Sequence, residues 1–249
     1  DLTVNGTTTT IDTAVTAVDS LAVDGQITGL GNLGVGTANP IAPGSTALHI
    51  AESASSQPVR LHMTTAATGA TASDGFTLSI DGSTSNVNLI QREIANIQFY
   101  TAGTERLTIN GNGTTKFKGP LTEKCNRDTG GGLTGDYNHD LLTYGNVHWA
   151  TSNSSGTWTY NIRGNASVAL NDMMTDGETL SFQLISSQNN ANYYMTAFKI
   201  DGSSSHTVWW QGGSAPSAGG GSGYDVYTFT VFKIGNASFR TFASLSNHA

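Results

Sequence analysis

The sequence has little charge, one cysteine and no long apolar run. Only 12% of its 249 residues are Asp, Glu, Lys or Arg, against about 25% in an ordinary globular domain, so hydroxyls and amides must supply much of the polar surface. Cys125 is the single cysteine, which excludes an intrachain disulfide and fits assembly in a reducing compartment. No apolar run approaches the roughly 20 residues of a membrane-spanning helix, so we expect no membrane insertion.

Positive charge is especially scarce. The chain has 18 acidic and 11 basic residues, a formal net charge of −7, and no cluster of Lys and Arg. Nucleic acid is therefore not an expected partner, because phosphate neutralisation needs concentrated positive charge. Proline is also rare (5 residues) whereas glycine is abundant (30 residues), a composition that favours an all-β fold of short strands joined by frequent turns.

One short phrase recurs along the chain: an apolar residue, any residue, Val or Ile, Asn or Asp, and Gly. Asn-Gly and Asp-Gly tolerate the positive φ values of a type I′ turn, so the stretch from Arg106 to Phe117 predicts a β-hairpin. The spacing of the copies is irregular, which indicates a degenerate repeat array. The other copies are Leu2–Gly6, Leu21–Gly25, Leu78–Gly82 and Phe198–Gly202.

Residues 1–36 contain eleven Leu, Ile and Val residues and no aromatic. Burying all eleven would yield roughly 20–30 kcal/mol, whereas ordering the segment costs roughly 50 kcal/mol. We therefore expect an intertwined shaft in which identical chains supply the missing partners. Ile11, Val15, Val18 and Ala22 fall at coiled-coil spacing, so a short coiled coil over 11–22 is the alternative to strands. Asp1 directly precedes the Leu2–Gly6 copy of the phrase, and we expect the chain to belong to a longer protein.

Residues 37–119 alternate polar and apolar side chains in brief runs, which predicts a small antiparallel β-domain. Its large side chains are few, so we expect some apolar faces to be shared between subunits. The runs are Leu48–Ile50, Val59–Met63, Phe76–Ile80, Val87–Leu89 and Ile97–Phe99.

Over residues 1–118 the chain resembles a family. Gly34-Val-Gly-Thr-Ala-Asn-Pro40 is followed by Leu48-His-Ile50, and Glu105-Arg-Leu-Thr-Ile-Asn-Gly111 comes later. These phrases, in this order, resemble the repeats of bacteriophage tail-fibre and related virion-fibre proteins. The resemblance implies an elongated trimeric fibre.

The aromatic residues concentrate beyond residue 120, with all four Trp and seven of the eight Tyr. We expect residues 120–157 to be a connecting region and residues 158–249 to form a β-sandwich head, jelly-roll-like in topology. The predicted head strands are Trp158–Ile162, Thr179–Ile185, Tyr193–Ile200, Thr207–Trp210, Asp225–Ile234 and Ser238–Phe242.

The head also resembles the C-terminal head domain of many phage fibres. Trp210-Gln-Gly-Gly-Ser-Ala-Pro216, a glycine-rich loop and Tyr224-Asp-Val-Tyr-Thr-Phe229 carry this resemblance. It implies a homotrimeric virion protein that is assembled in the host cytoplasm and contacts other tail or neck proteins. Its tip would bind a host-surface polysaccharide or an outer-membrane receptor.

Four aromatic residues near predicted turns are candidate glycan contacts, because aromatic rings stack on sugars. They are Tyr193, Tyr194, Trp209 and Tyr224. Packing in the core or in a subunit interface is the alternative role for each. Neighbours in a strand point to opposite faces, so only one of Trp209 and Trp210 should be in the core.

We expect no metal, no cofactor and no enzymatic activity. Asp136, His139, Asp140 and His148 are metal-ligand types without a recognised spacing. Asp176-Gly177 indicates a turn, although Asp172, Asp176 and Glu178 could in principle supply the paired carboxylates of a glycosidase.

The sequence thus predicts a structural fibre protein of a phage virion that attaches to host-surface glycan through its head. Three alternatives remain open. They are a neck, collar or decoration fibre without receptor binding, a tailspike-type polysaccharide depolymerase, and a bacterial surface adhesin.

Overall fold

The computed structural model describes residues 33–35 and 48–249, which form two compact units divided between Gly119 and Pro120. The described part of the chain is all-β, since strands account for 48% and helices for 4% of these residues. Within the described residues, no helix has the length and apolar character needed to span a membrane. The predicted shaft is described only at residues 33–35, and the coiled-coil alternative over 11–22 lies outside the described residues.

The first unit contains one parallel pair of strands and two antiparallel three-stranded sheets. The pair is β1–β2, and the sheets have the orders β3-β4-β5 and β6-β7-β8. Alternation of polar and apolar residues located the strands between Leu48 and Thr101 within two residues. Eight strands are described in this unit. They are β1 (Leu33–Val35), β2 (Leu48–Ile50), β3 (Val59–Met63), β4 (Phe76–Ile80), β5 (Val87–Gln91), β6 (Ile97–Thr101), β7 (Thr104–Ile109) and β8 (Thr115–Phe117).

One face of the β3-β4-β5 sheet is almost wholly apolar and lies open. Its nine positions form three cross-strand rows, and Gln91 is the one polar member. Six of the apolar side chains are 39% to 65% exposed. The opposite face is polar, and there Thr77 and Ser79 of the central strand are buried. We call the open face the first apolar face; its apolar members are Val59, Leu61, Met63, Phe76, Leu78, Ile80, Val87 and Leu89.

The β6-β7-β8 sheet repeats this arrangement. Five of six cross-strand positions on one face are apolar, with Thr115 as the sixth. Phe99, Ile109 and Phe117 in this group are exposed. We call it the second apolar face; its apolar members are Ile97, Phe99, Leu107, Ile109 and Phe117.

The second unit is built from a six-stranded and a three-stranded sheet, with two short helices. The large sheet has the order β15-β17-β16-β13-β11-β9 and the small sheet the order β10-β12-β14. The elements are β9 (Cys125–Asp128), β10 (Gly135–Asp140), α1 (Leu141–Tyr144), β11 (Val147–Ala150), β12 (Trp158–Arg163), α2 (Leu170–Met173), β13 (Thr179–Gln188), β14 (Met195–Ile200), β15 (Thr207–Trp210), β16 (Gly223–Gly235) and β17 (Ser238–His248).

Most pairings in the second unit are parallel, which departs from the antiparallel topology of a jelly roll. From β9 to β14 the chain alternates between the two sheets, so each strand lies parallel to the strand two places earlier. Only β13, β16 and β17 pair antiparallel. Residues 120–157, expected to be a connection, contain three strands that belong to these sheets.

Aromatic side chains from both sheets fill one core. Phe198 of the small sheet stacks on Phe229 of the large sheet, with ring centroids 4.1 Å apart. Trp158 meets Tyr227 edge to face at 6.3 Å. All four residues are at least 96% buried, so the two sheets pack face to face and leave their other faces outward.

Helix α2 has four residues, too few to be stable alone, and is held at both ends by neighbouring strands. Asp201 accepts hydrogen bonds from the backbone N–H groups of Leu170 (2.7 Å) and Asn171 (3.0 Å). At the other end, Lys233 Nζ donates to the carbonyl oxygens of Asn171 (2.5 Å) and Met174 (2.7 Å). These contacts replace the missing caps of the helix.

We expect Asp201→Ala to lower the free energy of unfolding by about 1–2 kcal/mol, because both N–H groups lose their acceptor and alanine tolerates the positive φ of this position less well than aspartate. Urea unfolding followed by tryptophan fluorescence reports this unit, which contains all four tryptophans. Asp172→Ala is the matched control, since Asp172 is an exposed carboxylate in the first turn of the same helix. Equal losses in the two variants would contradict the capping role.

Candidate functional site

The outer face of the six-stranded sheet carries two aromatic areas. Strand alternation sends Trp210 toward Tyr227 in the core, with ring centroids 6.5 Å apart, whereas Trp209 is 44% exposed on the outer face. The expectation that only one of the two tryptophans belongs to the core is confirmed. Because the outer positions of all six strands lie in register, separate residues come together in rows across the sheet.

The first area, the Trp209 patch, consists of Trp209, Phe232, Arg240 and Phe242. Trp209 and Phe242 are cross-strand neighbours with ring centroids 5.0 Å apart. Phe232 meets Phe242 edge to face at 5.8 Å, and the Arg240 guanidinium lies 5.5 Å from the centre of the Trp209 ring. The patch combines exposed rings with a cation held over one of them.

The second area, the Trp149 groove, is a concave surface of about 380 Å³ lined almost wholly by apolar atoms. Ile185 and Val226 are adjacent in register and form its floor. The Trp149 and Tyr224 rings meet edge to face at 6.4 Å. The Arg127 guanidinium lies 5.6 Å from the Trp149 ring centre. The groove is lined by Trp149, Ile185, Tyr224, Val226 and His248.

The four predicted glycan contacts do not form one site. Trp209 lies in the Trp209 patch and Tyr224 in the Trp149 groove. Phe242, the neighbour of Trp209, pairs with Thr230 on β16, six residues along that strand from Tyr224; this separation is about 20 Å. Tyr193 packs against the core and Tyr194 is half-buried, both just before β14.

A polar depression of about 430 Å³ borders the outer face of the small sheet, but its side chains are already paired. Arg163 Nε donates to Asp140 Oδ1 at 2.7 Å, and Asn161 Nδ2 donates to Asn138 Oδ1 at 2.8 Å. Asp201 caps α2. These groups therefore stabilise the sheet and its connections.

A buried polar network lies between the two sheets. The Tyr160 hydroxyl lies 2.5 Å from His148 Nδ1, and His148 Nε2 lies 3.5 Å from Asp128 Oδ2. The Tyr137 hydroxyl donates to the same carboxylate oxygen at 3.1 Å. Burial and the nearby His139 lower the pKa of His148 to about 4, although Asp128 acts in the opposite direction. The fully buried Tyr160 hydroxyl cannot reach a substrate, so the network belongs to the core.

Among the described residues, no three His, Cys, Asp or Glu side chains come together as a set of metal ligands. His139 and His148 are buried and stacked at 5.2 Å, whereas Asp136 and Asp140 pair with Lys199 and Arg163.

The three carboxylates considered for glycoside hydrolysis occupy a helix and a turn. Asp172 lies on α2 and is exposed. Glu178 accepts a hydrogen bond from the Thr175 N–H at 2.7 Å, and Gly177 has a φ of +89°, which places Asp176 in the turn that the sequence predicts.

Sequence reasoning did not single out Arg240, Phe242 or Trp149. The run Ser238-Phe-Arg-Thr-Phe242 contains a usable signal, because alternation places Arg240 and Phe242 on the face opposite Phe239. Their association with Trp209 depends on the parallel pairing of β15 with β17, which alternation does not specify. Comparisons of the chain with protein-family models, with curated proteins and with solved structures found no match.

Proposed function

We propose that this chain is part of a homotrimeric fibre protein of a phage virion that attaches to the host surface through its C-terminal head. The observation that most supports this proposal is the first apolar face, which presents eight apolar side chains on one side of a three-stranded sheet. The fibre-like phrases in residues 1–118 and the head-like motifs around Trp210 and Tyr224 support the identity of the assembly. In this proposal residues 1–36 form an elongated, intertwined shaft.

The free energy available from covering the first apolar face is substantial. Burying the exposed half of eight apolar side chains would contribute roughly 8 kcal/mol per subunit, at about 1 kcal/mol each. The second apolar face adds to this contribution. Exposed apolar areas of this kind mark interaction surfaces, and three copies around one axis would enclose the equivalent faces in a common interior.

The occupant we assign to these faces is the same face of sister subunits. Two of the phrases that resemble phage fibres precede the two sheets in sequence and the third overlaps β7 of the second sheet, and such fibres commonly are trimers. Residues 1–36 have no aromatic side chain, which makes that segment a poor cover for a face this large.

Attachment would depend on the head. The outer face of its large sheet presents the exposed Trp209 ring beside Arg240, and a trimer would present three copies of this patch. Three weak contacts to a repetitive host surface can raise avidity by about 10²–10⁴-fold. Attachment to the host would then depend on the length and rigidity of the fibre and on several weak contacts at once, and it would require no covalent chemistry.

Light scattering of residues 1–249 tests the assembly. We expect a mass near three times 25.9 kDa, and a monodisperse monomer would contradict the proposal. Binding of the fluorescently labelled trimer to host cells tests attachment, and a trimer that binds no host envelope fraction would indicate a neck, collar or decoration fibre.

A further inference from the structure

We propose that the Trp209 patch binds an acidic sugar of the host surface, with the sugar ring on the aromatic side chains and its carboxylate on Arg240. This inference rests on the proposed attachment function and assigns it a site and a ligand class. The alternative occupant, a second copy of the chain, is tested by the same experiment.

The aromatic part of the patch is exposed and broad. Trp209 is 44% and Phe242 is 50% exposed, and they are neighbours in register on β15 and β17. Phe232 supports Phe242 from the side. The C–H face of a pyranose ring is apolar and can cover such a surface, whereas its hydroxyls need polar groups around the rim.

The rim supplies hydroxyl groups. Thr207 lies opposite Arg240 in the β15–β17 register, and Thr230 lies opposite Phe242 in the β16–β17 register. Hydroxyls of this type donate and accept hydrogen bonds, as sugar recognition requires. The Trp149 groove differs in this respect, because almost all of its lining is apolar.

Arg240 gives the patch its charge preference. The ion pairs between Lys or Arg and carboxylates in residues 33–35 and 48–249 involve Lys118, Arg163 and Lys199, and none involves Arg240. Arg240 instead lies over Trp209, and a π face cannot satisfy all five N–H donors of a guanidinium. Acidic residues outnumber basic residues in this chain, 18 to 11, and yet Arg240 forms no ion pair with any of the described carboxylates. Its guanidinium can therefore bind the carboxylate of a ligand.

The geometry of guanidinium and carboxylate fixes the ligand class further. Arginine matches a planar carboxylate with two parallel hydrogen bonds, and a hexuronic acid carries its carboxylate directly on the ring. One such sugar could therefore contact the rings and Arg240 together. A neutral sugar would make the stacking contact alone.

The test uses the full chain with oligomers of galacturonate and of glucuronate, each paired with its methyl ester. Esterification removes the charge and keeps the sugar. We expect calorimetry to show binding of at least one uronate and at least tenfold weaker binding of its ester, since a hydrogen bond to a charged group contributes about 1.5–3 kcal/mol. Arg240→Gln and Trp209→Ala should each weaken binding by about tenfold or more.

Arg127→Gln is the matched control, because Arg127 makes the same contact with Trp149 on the same face of the sheet. It should change the affinity by less than about twofold, since it lies outside the Trp209 patch. Loss of binding in Arg127→Gln but not in Arg240→Gln would overturn the assignment to the Trp209 patch.

Light scattering of every variant separates the remaining outcomes. A trimer that binds neither uronate, or binds uronate and ester equally, overturns this inference and leaves the proposed fibre function standing. Dissociation of the trimer by Trp209→Ala would show that the patch is a subunit interface and would also overturn it. A monomeric parent chain would instead contradict the proposed function itself.

Discussion

Replacing Leu89 with glutamate is expected to dissociate the proposed trimer into monomers of 25.9 kDa. Leu89 lies on β5 in the middle row of the first apolar face, beside Leu78 and Leu61. It is 54% exposed in the single chain, so a glutamate there can remain in water while the chain is monomeric. In the trimer, the same substitution would bury three carboxylates in an apolar interior, at a cost of several kcal/mol each.

The control for Leu89→Glu is Asn88→Glu, on the preceding position of the same strand. Asn88 lies opposite Ser79 on the polar face of the sheet, and glutamate and asparagine are both poor strand formers. Light scattering should therefore find a trimer for Asn88→Glu and a monomer for Leu89→Glu. A Leu89→Glu protein that keeps its threefold mass would show that other residues hold the subunits together.

Alternation of polar and apolar residues predicted most of the strands and the antiparallel pairing of β3 to β8, but not how the strands of the second unit pair. β3, β4 and β15 begin and end as the pattern predicts, and in β3 and β4 this follows from one apolar and one polar face. The direction of pairing depends on the route of the chain, and alternation along one strand contains no information about that route. The parallel arrangement from β9 to β14 was missed for this reason.

Two of the three strands between residues 120 and 157, β9 and β10, were missed for a different reason. Cys125-Asn-Arg-Asp128 and Gly135-Asp-Tyr-Asn-His-Asp140 contain no β-branched residue, so neither propensity nor apolar alternation indicates a strand. They are held by neighbours on the sheets and by Tyr137 and His139, which are directed inward. Tertiary packing, rather than local preference, makes them extended.

The hairpin predicted between Arg106 and Phe117 is confirmed, because β7 and β8 pair antiparallel. The predicted type I′ turn, however, is found at one copy of the repeated phrase and not at this one. Asp201 and Gly202 both have positive φ, 52° and 81°, as a type I′ turn requires. At the predicted hairpin, Gly113 alone has positive φ, and its N–H bonds to the carbonyl of Asn110. The longer loop at Asn110 lets the chain use a type I turn followed by a left-handed glycine.

The candidate site was only partly predictable. Trp209 could be assigned to the outer face from its position beside Trp210, because alternation requires it. Arg240 reaches Trp209 across two strands that are some 30 residues apart in sequence, so the pair exists only once the topology is known. The sequence therefore predicted that the Trp209 ring is exposed, but not that Arg240 lies over it and favours an acidic ligand.

Acid is expected to destabilise the second unit well above the pH at which carboxylates titrate. His148 and His139 are fully buried and stacked at 5.2 Å, and burial lowers the pKa of each. The groups that face them are Asp128, Tyr137, Asp140, Tyr144 and Tyr160. The two aspartates favour the charged imidazoles, but they do not compensate for the loss of water.

The direction in which stability changes with pH follows from the difference in proton binding between the folded and unfolded states. The pKa of His148 is about 4 in the folded chain and about 6.5 in the unfolded chain, so between these values the unfolded state binds a proton that the folded state does not. The full stability is present above pH 6.5 and is lost progressively down to about pH 4, by about 3 kcal/mol for His148 alone. Burial raises the pKa of Asp225, which acts in the opposite direction, because acid then relieves the cost of a buried carboxylate.

Urea unfolding of the full chain, followed by tryptophan fluorescence at pH 7 and at pH 4.5, measures this loss. His148→Gln should be less stable at pH 7, because Tyr160 loses its partner, and its stability should depend less on pH. His248→Gln is the control, since His248 is an exposed imidazole at the end of β17 and should leave the pH dependence unchanged.

Asp225→Asn should steepen the loss by removing the opposing group. Equal stability of the parent chain at both pH values would contradict this prediction. It would mean that the buried imidazoles bind protons as readily in the folded chain as in the unfolded chain, although burial disfavours the charged form.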